Sequence, residues 1–378
     1  MYEKIDAYVL SLIERSSPEH TAWNIESIRF GRPPHWNYID GCMITALLAM
    51  SDITGDKRYF DFAERFIDWF VLEDGTIRTY ERSKYNLDDI NEGRVLFPLY
   101  EKTGKEKYKK AAENLYQQIK EQPRTFEGNF WHKAIYPNQV WLDGLYMAQP
   151  FYALYVRDFG DGDYSDILSQ INNVRSHMFD EKKRLCYHGY DASRSAFWAD
   201  PVTGLSKNFW LRSIGWFAVA MADLCEILPE GEGRERIQEI FRELMEGVAA
   251  YADEETGMYW QVPDQGGREG NYLETSGSSM LAYAMLKGAR LGILDKEYAA
   301  KGEKTFRGIV EKYLSFTDGE LNLGGICLVA GLGPETDRRR DGSYEYYISE
   351  PVVENDAKGV APFVLCYTEI KRLAERGS

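Results

Sequence analysis

The segment Thr54-Gly55-Asp56-Lys57-Arg58-Tyr59 recurs 49 residues further on as Thr103-Gly104-Lys105-Glu106-Lys107-Tyr108. Looser copies follow as Gly162-Asp163-Tyr164 and Leu294-Asp295-Lys296-Glu297-Tyr298. Each copy joins an apolar helical stretch before it to an amphipathic stretch after it. A weak repeat of about this length predicts helix pairs that stack on one another or close into a ring.

Six stretches are apolar on nearly all sides, as helices at the centre of such a ring must be. They begin at Asp40-Gly41, Asp88-Asp89, Asp143-Gly144, Arg212-Ser213, Ser276-Gly277 and Lys358-Gly359. Amphipathic, charged stretches alternate with them, beginning near Glu3, Lys57, Glu106, Asp163, Gly233 and Lys296. Six inner and six outer helices predict an all-α fold, the (α/α)6 toroid. Because strand-like alternation is scarce and no low-complexity linker interrupts the chain, we expect one domain over residues 1–378.

This architecture predicts where a site lies. In a ring of helical hairpins the inner helices run parallel, so their N-terminal ends share one rim. The loops that lead into those ends carry Trp36, Trp131, His132, Trp141, His188, Trp198 and Trp210. We therefore expect a mouth lined with aromatic rings, acids and helix N-termini, and the N-termini favour an anionic ligand.

Composition excludes several classes of partner. The 45 Lys and Arg against 60 Asp and Glu give a net charge of −15, which offers no electrostatic attraction to nucleic acid or an anionic membrane. The five Cys are scattered without a CxxC pair, the first residues lack a signal-peptide core, and no window approaches ~20 apolar residues. These features predict a soluble, cytoplasmic protein without a membrane span. We expect a monomer or a weak homo-oligomer, although no sequence feature determines the oligomeric state.

The chemistry is concentrated in Phe130-Trp131-His132-Lys133 and Gln139-Val140-Trp141-Leu142-Asp143-Gly144-Leu145-Tyr146-Met147. Flat aromatic faces beside a single carboxyl group are what a sugar pocket needs. Asp143 is the candidate proton donor, and an ordinary helix N-cap is the alternative role. Burial by Trp131, Trp141 and Tyr146 would raise the pKa of Asp143, a second carboxylate would raise it further, and the helix N-terminus would lower it.

Asp88 is the candidate second carboxylate. Asp89 lies beside it, and the two residues could divide catalysis and helix capping between them. His132 and His188 lie in aromatic loops, so we expect both to contact a ligand. No HxxxH or HxH spacing occurs, and we therefore predict no metal site.

Lys133 and Arg212 are the candidates for binding a substrate carboxylate. A buried Arg212 needs an anion, which is either the ligand or an internal partner such as Asp88 or Asp143. Trp141, Trp210 and Trp216 either stack on sugar faces or belong to the core. The sequence lacks a GxSxG motif, a Walker loop and a glycine-rich dinucleotide turn, and no cofactor is expected.

In these motifs and their order the chain resembles the unsaturated rhamnogalacturonyl hydrolases, glycoside hydrolase family 105. Besides the two segments quoted above, the resemblance rests on Tyr136-Pro137, Pro150-Phe151, Tyr187-His188, Trp210-Leu211-Arg212-Ser213-Ile214-Gly215-Trp216, Glu274-Thr275-Ser276-Gly277-Ser278 and Asn355-Asp356. It implies an (α/α)6 barrel. It also implies release of a 4,5-unsaturated galacturonic acid from the non-reducing end of rhamnogalacturonan (pectin) oligosaccharides.

The resemblance implies roles for individual residues. Asp143 would protonate C4 of the vinyl ether and then, as a base, activate the water that attacks C5, with assistance from Asp88. The residues expected to hold the small anionic oligosaccharide are Asn37, Tyr38, His132, Lys133, Tyr136, Trp141, His188, Arg212 and Trp216. Asn37, Asp40 and Ala134-Ile135 depart from the pattern of relatives, which leaves the contacts to the leaving sugar open.

Three alternatives remain. One is an unsaturated glucuronyl hydrolase that acts on glycosaminoglycan-type disaccharides, which shares the fold and the hydration chemistry. A second is a non-catalytic sugar-binding toroid, for which Asp143→Asn would change no turnover. A third is a sugar epimerase of the same barrel shape, which would preserve the unsaturated chromophore.

Overall fold

Helices dominate the computed structural model, which describes residues 2–317 and 319–377. In chain order the helices are α1 (Tyr2–Glu14), α2 (Ile25–Phe30), α3 (Tyr38–Thr54), α4 (Lys57–Phe70), α5 (Asp88–Asn91), α6 (Leu96–Thr103), α7 (Glu106–Glu121), α8 (Leu142–Asp158), α9 (Ser165–Met178), α10 (Leu211–Ile227), α11 (Glu232–Ala249), α12 (Thr275–Arg290), α13 (Glu297–Tyr313), α14 (Tyr344–Ser349) and α15 (Ala357–Gly377). Short 3₁₀ turns occupy Arg82–Lys84, Glu92–Val95 and Pro263–Gln265.

The inner helices close into a ring. Helix α3 packs on the Glu92–Val95 turn that follows α5, α5 packs on α8, and the contacts continue through α10, α12 and α15 back to α3. The outer helices α4, α7, α9, α11 and α13 pack against α3, α6, α8, α10 and α12 respectively. Tyr367 of α15 donates a hydrogen bond to Asp6 of α1 at 3.2 Å. The predicted (α/α)6 toroid is confirmed.

The two sets of helices differ because their side chains differ. Every residue of α10 from Leu211 to Cys225 is buried, as a helix that is apolar on all sides requires. Helix α4 instead buries one stripe that includes Phe62, Phe66 and Phe70, and its other face is charged. The alternation of these two patterns along the chain is therefore the direct cause of the inner and outer rings.

Some predicted helix starts are wrong by a few residues. Helix α3 begins at Tyr38 rather than at Asp40, because the side chain of Asn37 caps it by accepting the N–H of Asp40. Helix α12 begins at Thr275 rather than at Ser276, because the carboxylate of Glu274 accepts the N–H of Ser276. In both cases the capping side chain lies just before the residue that the sequence favoured.

The second inner helix is interrupted. It begins at Asp88 as predicted, but a 3₁₀ turn over Glu92–Val95 separates α5 from α6. This turn approaches α3 closely, since a Cβ added to Gly41 would lie only 2.6 Å from the Cα of Glu92. The absence of a side chain at Gly41 therefore allows the two inner elements to meet backbone against backbone.

Within residues 2–317 and 319–377, eight short strands form four separate antiparallel pairs. The strands are β1 (Gln139–Trp141), β2 (Phe179–Asp180), β3 (Leu185–Cys186), β4 (Gly189–Asp191), β5 (Leu314–Thr317), β6 (Glu320–Leu323), β7 (Ile326–Cys327) and β8 (Val352–Val353). Strand β1 pairs with β4, β2 with β3, β5 with β6, and β7 with β8. Segments of two to four residues are too short for a detectable period. The β1–β4 pair places Trp141 opposite Gly189 and thereby joins the loops that precede α8 and α10.

None of the described helices combines the length and the apolar character that crossing a bilayer requires.

Candidate active site

A cavity of about 700 Å³ opens where α3, α5 and α8 begin. Its wall includes eight of the residues that the sequence predicted for the site: Asn37, Tyr38, Asp88, His132, Lys133, Tyr136, Trp141 and Asp143. The predicted rim of helix N-termini thus supplies the residues that line one mouth of the ring. His188, Arg212 and Trp216 lie behind this wall.

Asp143 lies in the first turn of α8, with 8% of its surface exposed. It is not the cap of this helix, because the cap position is Trp141 and no side-chain hydrogen bond caps α8. The Oδ2 atom of Asp143 lies 3.3 Å from Nε2 of His188, which is fully buried. Nδ1 of His188 lies 2.7 Å from the hydroxyl of Tyr347. Asp143 therefore lines the cavity, and its Oδ2 atom is directed at the buried imidazole of His188.

Asp88 has a different environment, because a cation holds it. Its Oδ2 lies 2.6 Å from Nζ of Lys133, and its Oδ1 lies 3.5 Å from Nε2 of His132. Burial alone would raise the pKa of Asp88, but the positive charge and the hydrogen bond of Lys133 act together with His132 and Arg340 to keep this pKa below the ordinary value. Burial lowers the pKa of His132 to about 4. Near neutral pH, Asp88 and Lys133 are therefore a charged pair beside a neutral imidazole.

An aromatic wall stands beside the acids. The ring of Trp141 stacks on His132 with centroids 4.4 Å apart, and Tyr136 lies 4.7 Å from Trp141. Behind the cavity, Trp216 stacks on Tyr146 at 4.4 Å. Trp141 is therefore the predicted stacking residue that reaches the cavity.

Trp210 also lies in the layer behind the cavity, parallel to Tyr347 at 6.0 Å.

Asn37 lines the cavity, but its amide is engaged within the fold. It donates to the carbonyl of His35 and to Asp40 Oδ2, both at 2.7 Å. The amide N–H groups of Asn37 are therefore already bonded within the protein, and the residue mainly contributes van der Waals surface to the cavity wall.

Arg212 is buried inside the fold, with 1% of its surface exposed. Its guanidinium donates to Ser276 Oγ at 2.7 Å and to the carbonyl oxygens of Cys327 and Leu328, and it lies 3.8 Å from Glu274. The internal anion beside it is thus Glu274, not Asp88 or Asp143. The reason is that its guanidinium is directed at Ser276 in the first turn of α12 and at the carbonyl oxygens of Cys327 and Leu328.

Arg340 is a cavity residue that the sequence did not indicate. It lies in the loop between β7 and α14, and it lines the cavity together with Val329 and Ala330. No motif surrounds it, because the run Arg338-Arg339-Arg340 reads as an ordinary exposed loop. Arg340 reaches the cavity wall because of the tertiary path of the loop between β7 and α14, which no local sequence pattern indicates.

Asp89, the neighbour of Asp88 in the chain, has a pKa well above the ordinary value of an aspartic acid. Burial, together with the negative charge of Asp88, raises the pKa of Asp89 from 3.8 to about 7. Between these pH values the folded protein keeps a proton that the unfolded chain releases. The contribution of Asp89 to the free energy of unfolding therefore falls as the pH rises through this window.

We expect Asp89→Asn to gain stability relative to the wild type as the pH rises from about 4 to about 7, because the amide cannot lose a proton. Above about pH 7 the difference in unfolding free energy between Asp89→Asn and the wild type should stay constant. Urea denaturation of both proteins at a series of pH values measures it. A difference that is constant across the whole window would contradict the assignment.

A carboxyl group exposed to an aromatic-walled cavity at the mouth of an (α/α)6 ring is the arrangement of a glycoside hydrolase. The family model described as Glycosyl Hydrolase Family 88 matches residues 12–374, and the chain belongs to that family.

Similar proteins agree with this assignment. A glycoside hydrolase from family 105 of C. acetobutylicum ATCC 824 is 40% identical, with a TM-score of 0.90 and coverage of 98% of this chain and 99% of that chain. The 24.9 kDa protein in the picA locus of Rhizobium radiobacter is 42% identical over 195 residues, which are 50% of this chain and 83% of that protein.

An unsaturated glucuronyl hydrolase from Bacillus sp. GL1 shares the fold, with a TM-score of 0.69 at 16% identity over 100% of this chain and 97% of that chain. The family match and the 40% identical glycoside hydrolase of C. acetobutylicum confirm the resemblance found in the sequence and the prediction that the protein is a glycoside hydrolase.

Proposed function

We propose that this glycoside hydrolase releases 4,5-unsaturated galacturonic acid from the non-reducing end of rhamnogalacturonan oligosaccharides. The reaction is hydration of the C4=C5 double bond. The observation that carries the proposal is the contrast between two carboxyl groups in one cavity. Lys133 holds Asp88 at 2.6 Å, whereas Asp143 has no Lys or Arg within 4.0 Å in residues 2–317 and 319–377. Two carboxyl groups in such different surroundings are suited to different roles.

Asp143 performs the proton transfers. Its carboxyl group donates a proton to C4, the electrons of the double bond form the new C4–H bond, and the positive charge spreads over C5 and the ring oxygen. The resulting carboxylate takes a proton from water while the water oxygen bonds to C5. The hemiketal at C5 then opens to a ketone, C1 is left as a hemiacetal, and this hemiacetal collapses to an aldehyde and releases the neighbouring sugar. One water is consumed, and neither two-carboxylate glycosidase scheme is required.

His188 suits an acid that changes its protonation state during the reaction. The Nε2 atom of a neutral imidazole accepts a hydrogen bond in one tautomer and donates one in the other. The hydroxyl of Tyr347, 2.7 Å from Nδ1, is itself able to donate or to accept. The pair therefore complements Asp143 both as a carboxylic acid and as a carboxylate.

Asp88 supports the charge that develops in the sugar. The positive charge of Lys133 keeps the pKa of Asp88 low, so Asp88 remains an anion in the pH range where Asp143 acts. An anion that lines the same cavity favours a positive charge on C5 and the ring oxygen. Trp141 lines the cavity beside His132 and Tyr136 with 4% of its surface exposed, and this aromatic wall is suited to contact with the sugar ring.

A panel of three disaccharides tests the proposal. We expect the purified protein to remove the ultraviolet absorbance of unsaturated galacturonosyl-rhamnose and to release rhamnose. It should leave saturated galacturonosyl-rhamnose intact, because that sugar has no double bond to protonate. Faster turnover of an unsaturated chondroitin disaccharide would instead assign the protein to glycosaminoglycan fragments. Hydrolysis of the saturated sugar would overturn the hydration mechanism.

A further inference from the structure

Four cationic side chains line the cavity, and three of them are paired with carboxylates. The pairs are Arg32 with Glu26 at 3.4 Å, Lys84 with Glu81 at 3.0 Å and Lys133 with Asp88 at 2.6 Å. The fourth cation, Arg340, has no carboxylate within 4.0 Å anywhere in the part of the chain that the structure describes. Its guanidinium is therefore the cavity cation that no carboxylate of the described residues contacts.

The guanidinium of Arg340 is held from one side only. Its Nε donates a hydrogen bond to the hydroxyl of Tyr346 at 3.3 Å, and this hydroxyl also accepts the N–H of Gly331 at 3.0 Å. Its two terminal nitrogens form no hydrogen bond with any of the described residues. They are therefore available to a ligand in the cavity. An arginine anchored through Nε presents its terminal nitrogens as a planar fork, which matches the two oxygens of a carboxylate.

Gly331 makes room for this arrangement. A Cβ at position 331 would clash with Nη2 of Arg340 and would lie 3.2 Å from Cζ3 of Trp141. The guanidinium therefore rests on the bare backbone of Gly331, next to the aromatic wall on which the sugar is proposed to stack. A side chain at position 331 would displace the guanidinium of Arg340 from its place beside Trp141.

The residues first expected to bind the substrate carboxylate are engaged elsewhere. Lys133 neutralises Asp88, and Arg212 is buried with Ser276 and Glu274. Burial lowers the pKa of His132 to about 4, so this residue carries no charge near neutral pH. An anionic sugar that enters the cavity thus meets one cation that is free to bind it.

We propose that Arg340 binds the carboxylate of the unsaturated uronate, and that Tyr346 and Gly331 position its guanidinium. This inference rests on the proposed function and names the residue that recognises the acid group of the substrate. It accounts for selection of a uronic acid over a neutral sugar by a protein whose net charge is −15. Recognition is local, and the overall charge does not determine it.

The test compares Arg340→Gln and the wild type on unsaturated galacturonosyl-rhamnose and on its methyl ester, which lacks the negative charge. On the acid, we expect Arg340→Gln to raise KM and to lower kcat/KM by about 10- to 100-fold, the usual value of a charged hydrogen-bonded pair. On the ester, the two proteins should differ little. Arg340→Lys should keep part of the preference for the acid, because it retains the charge without the fork.

Arg338→Gln is the matched control. Arg338 lies in the same loop, pairs with Glu335 at 2.8 Å, and has 65% of its side chain exposed. We expect its kinetic constants to stay within about twofold of wild type, as for an exposed ion pair of little energetic value.

The outcomes separate the two proposals. A wild type that processes the acid and the ester equally well would overturn the role of Arg340 alone, and so would an Arg340→Gln protein that keeps the full preference for the acid. Arg340→Lys carries the test if Arg340→Gln does not fold, because a lysine that keeps none of the preference for the acid, or all of it, would contradict the role of the guanidinium fork. A wild type that is inactive on every unsaturated disaccharide would overturn the proposed function and this inference with it.

Discussion

Replacing Asp143 by Asn is expected to lower kcat for unsaturated galacturonosyl-rhamnose by at least about 10³-fold, because general acid–base catalysis usually contributes about 10²- to 10⁴-fold and one residue performs both steps here. The amide has nearly the same shape, so KM should change by less than about tenfold. Initial rates of loss of ultraviolet absorbance measure kcat and KM. The aromatic wall formed by Trp141 and His132 and the pair formed by Asp88 and Lys133 remain in the variant, so we expect the disaccharide still to bind.

The matched control for this substitution is Asp200→Asn. Asp200 lies in an exposed turn, where its Oδ1 accepts the N–H groups of Val202 and Thr203. We expect its kcat to equal that of the wild type within about twofold. An Asp143→Asn protein that keeps more than about a tenth of the wild-type kcat would remove Asp143 from its proposed role.

Replacing Arg212 by Ala is expected to cost about 3–5 kcal/mol of unfolding free energy, the usual cost of removing one partner of a buried ion pair. The change leaves the buried carboxylate of Glu274 without its cation and removes the donor to Ser276 Oγ. It also frees the carbonyl oxygens of Cys327 and Leu328, which lie next to the cavity residues Val329 and Ala330. Chemical denaturation measures the loss.

Arg236→Ala controls for the removal of an arginine from a helix. Arg236 pairs with Glu239 at 3.0 Å, and 46% of its side chain is exposed. Its loss should cost less than about 1 kcal/mol. An Arg212→Ala protein as stable as this control, with only a raised KM for the acid, would show that Arg212 and not Arg340 binds the uronate.

The local part of the fold was predictable from the chain because it depends on periodicity. The copies that begin at Thr54 and Thr103 and the all-round apolar character of α10 predict paired helices in an inner and an outer ring. Exact helix starts were less predictable. Asn37 and Glu274 cap their helices from positions where an ordinary loop residue would also fit. The break between α5 and α6 follows from the approach of Gly41 to Glu92, which no local pattern encodes.

The candidate site divides in the same way. Asp88 and Asp143 were identified because each stands at the beginning of an apolar stretch, and parallel inner helices necessarily bring such positions to one mouth. Trp141 and His132 lie two and eleven residues before Asp143 in the chain, and both line the same cavity.

The sequence by itself therefore determined the ring of helices, the end of the ring that holds the acids, and the class of chemistry. Only the tertiary structure decided which cations remain free. Lys133 is neutralised by Asp88, and Arg212 is enclosed by α12 and β7. Arg340 reaches the cavity on a loop that lies almost two hundred residues after Asp143 in the chain. A charge becomes available to a ligand when the folded protein gives it no partner, and partners distant in the chain are set by packing.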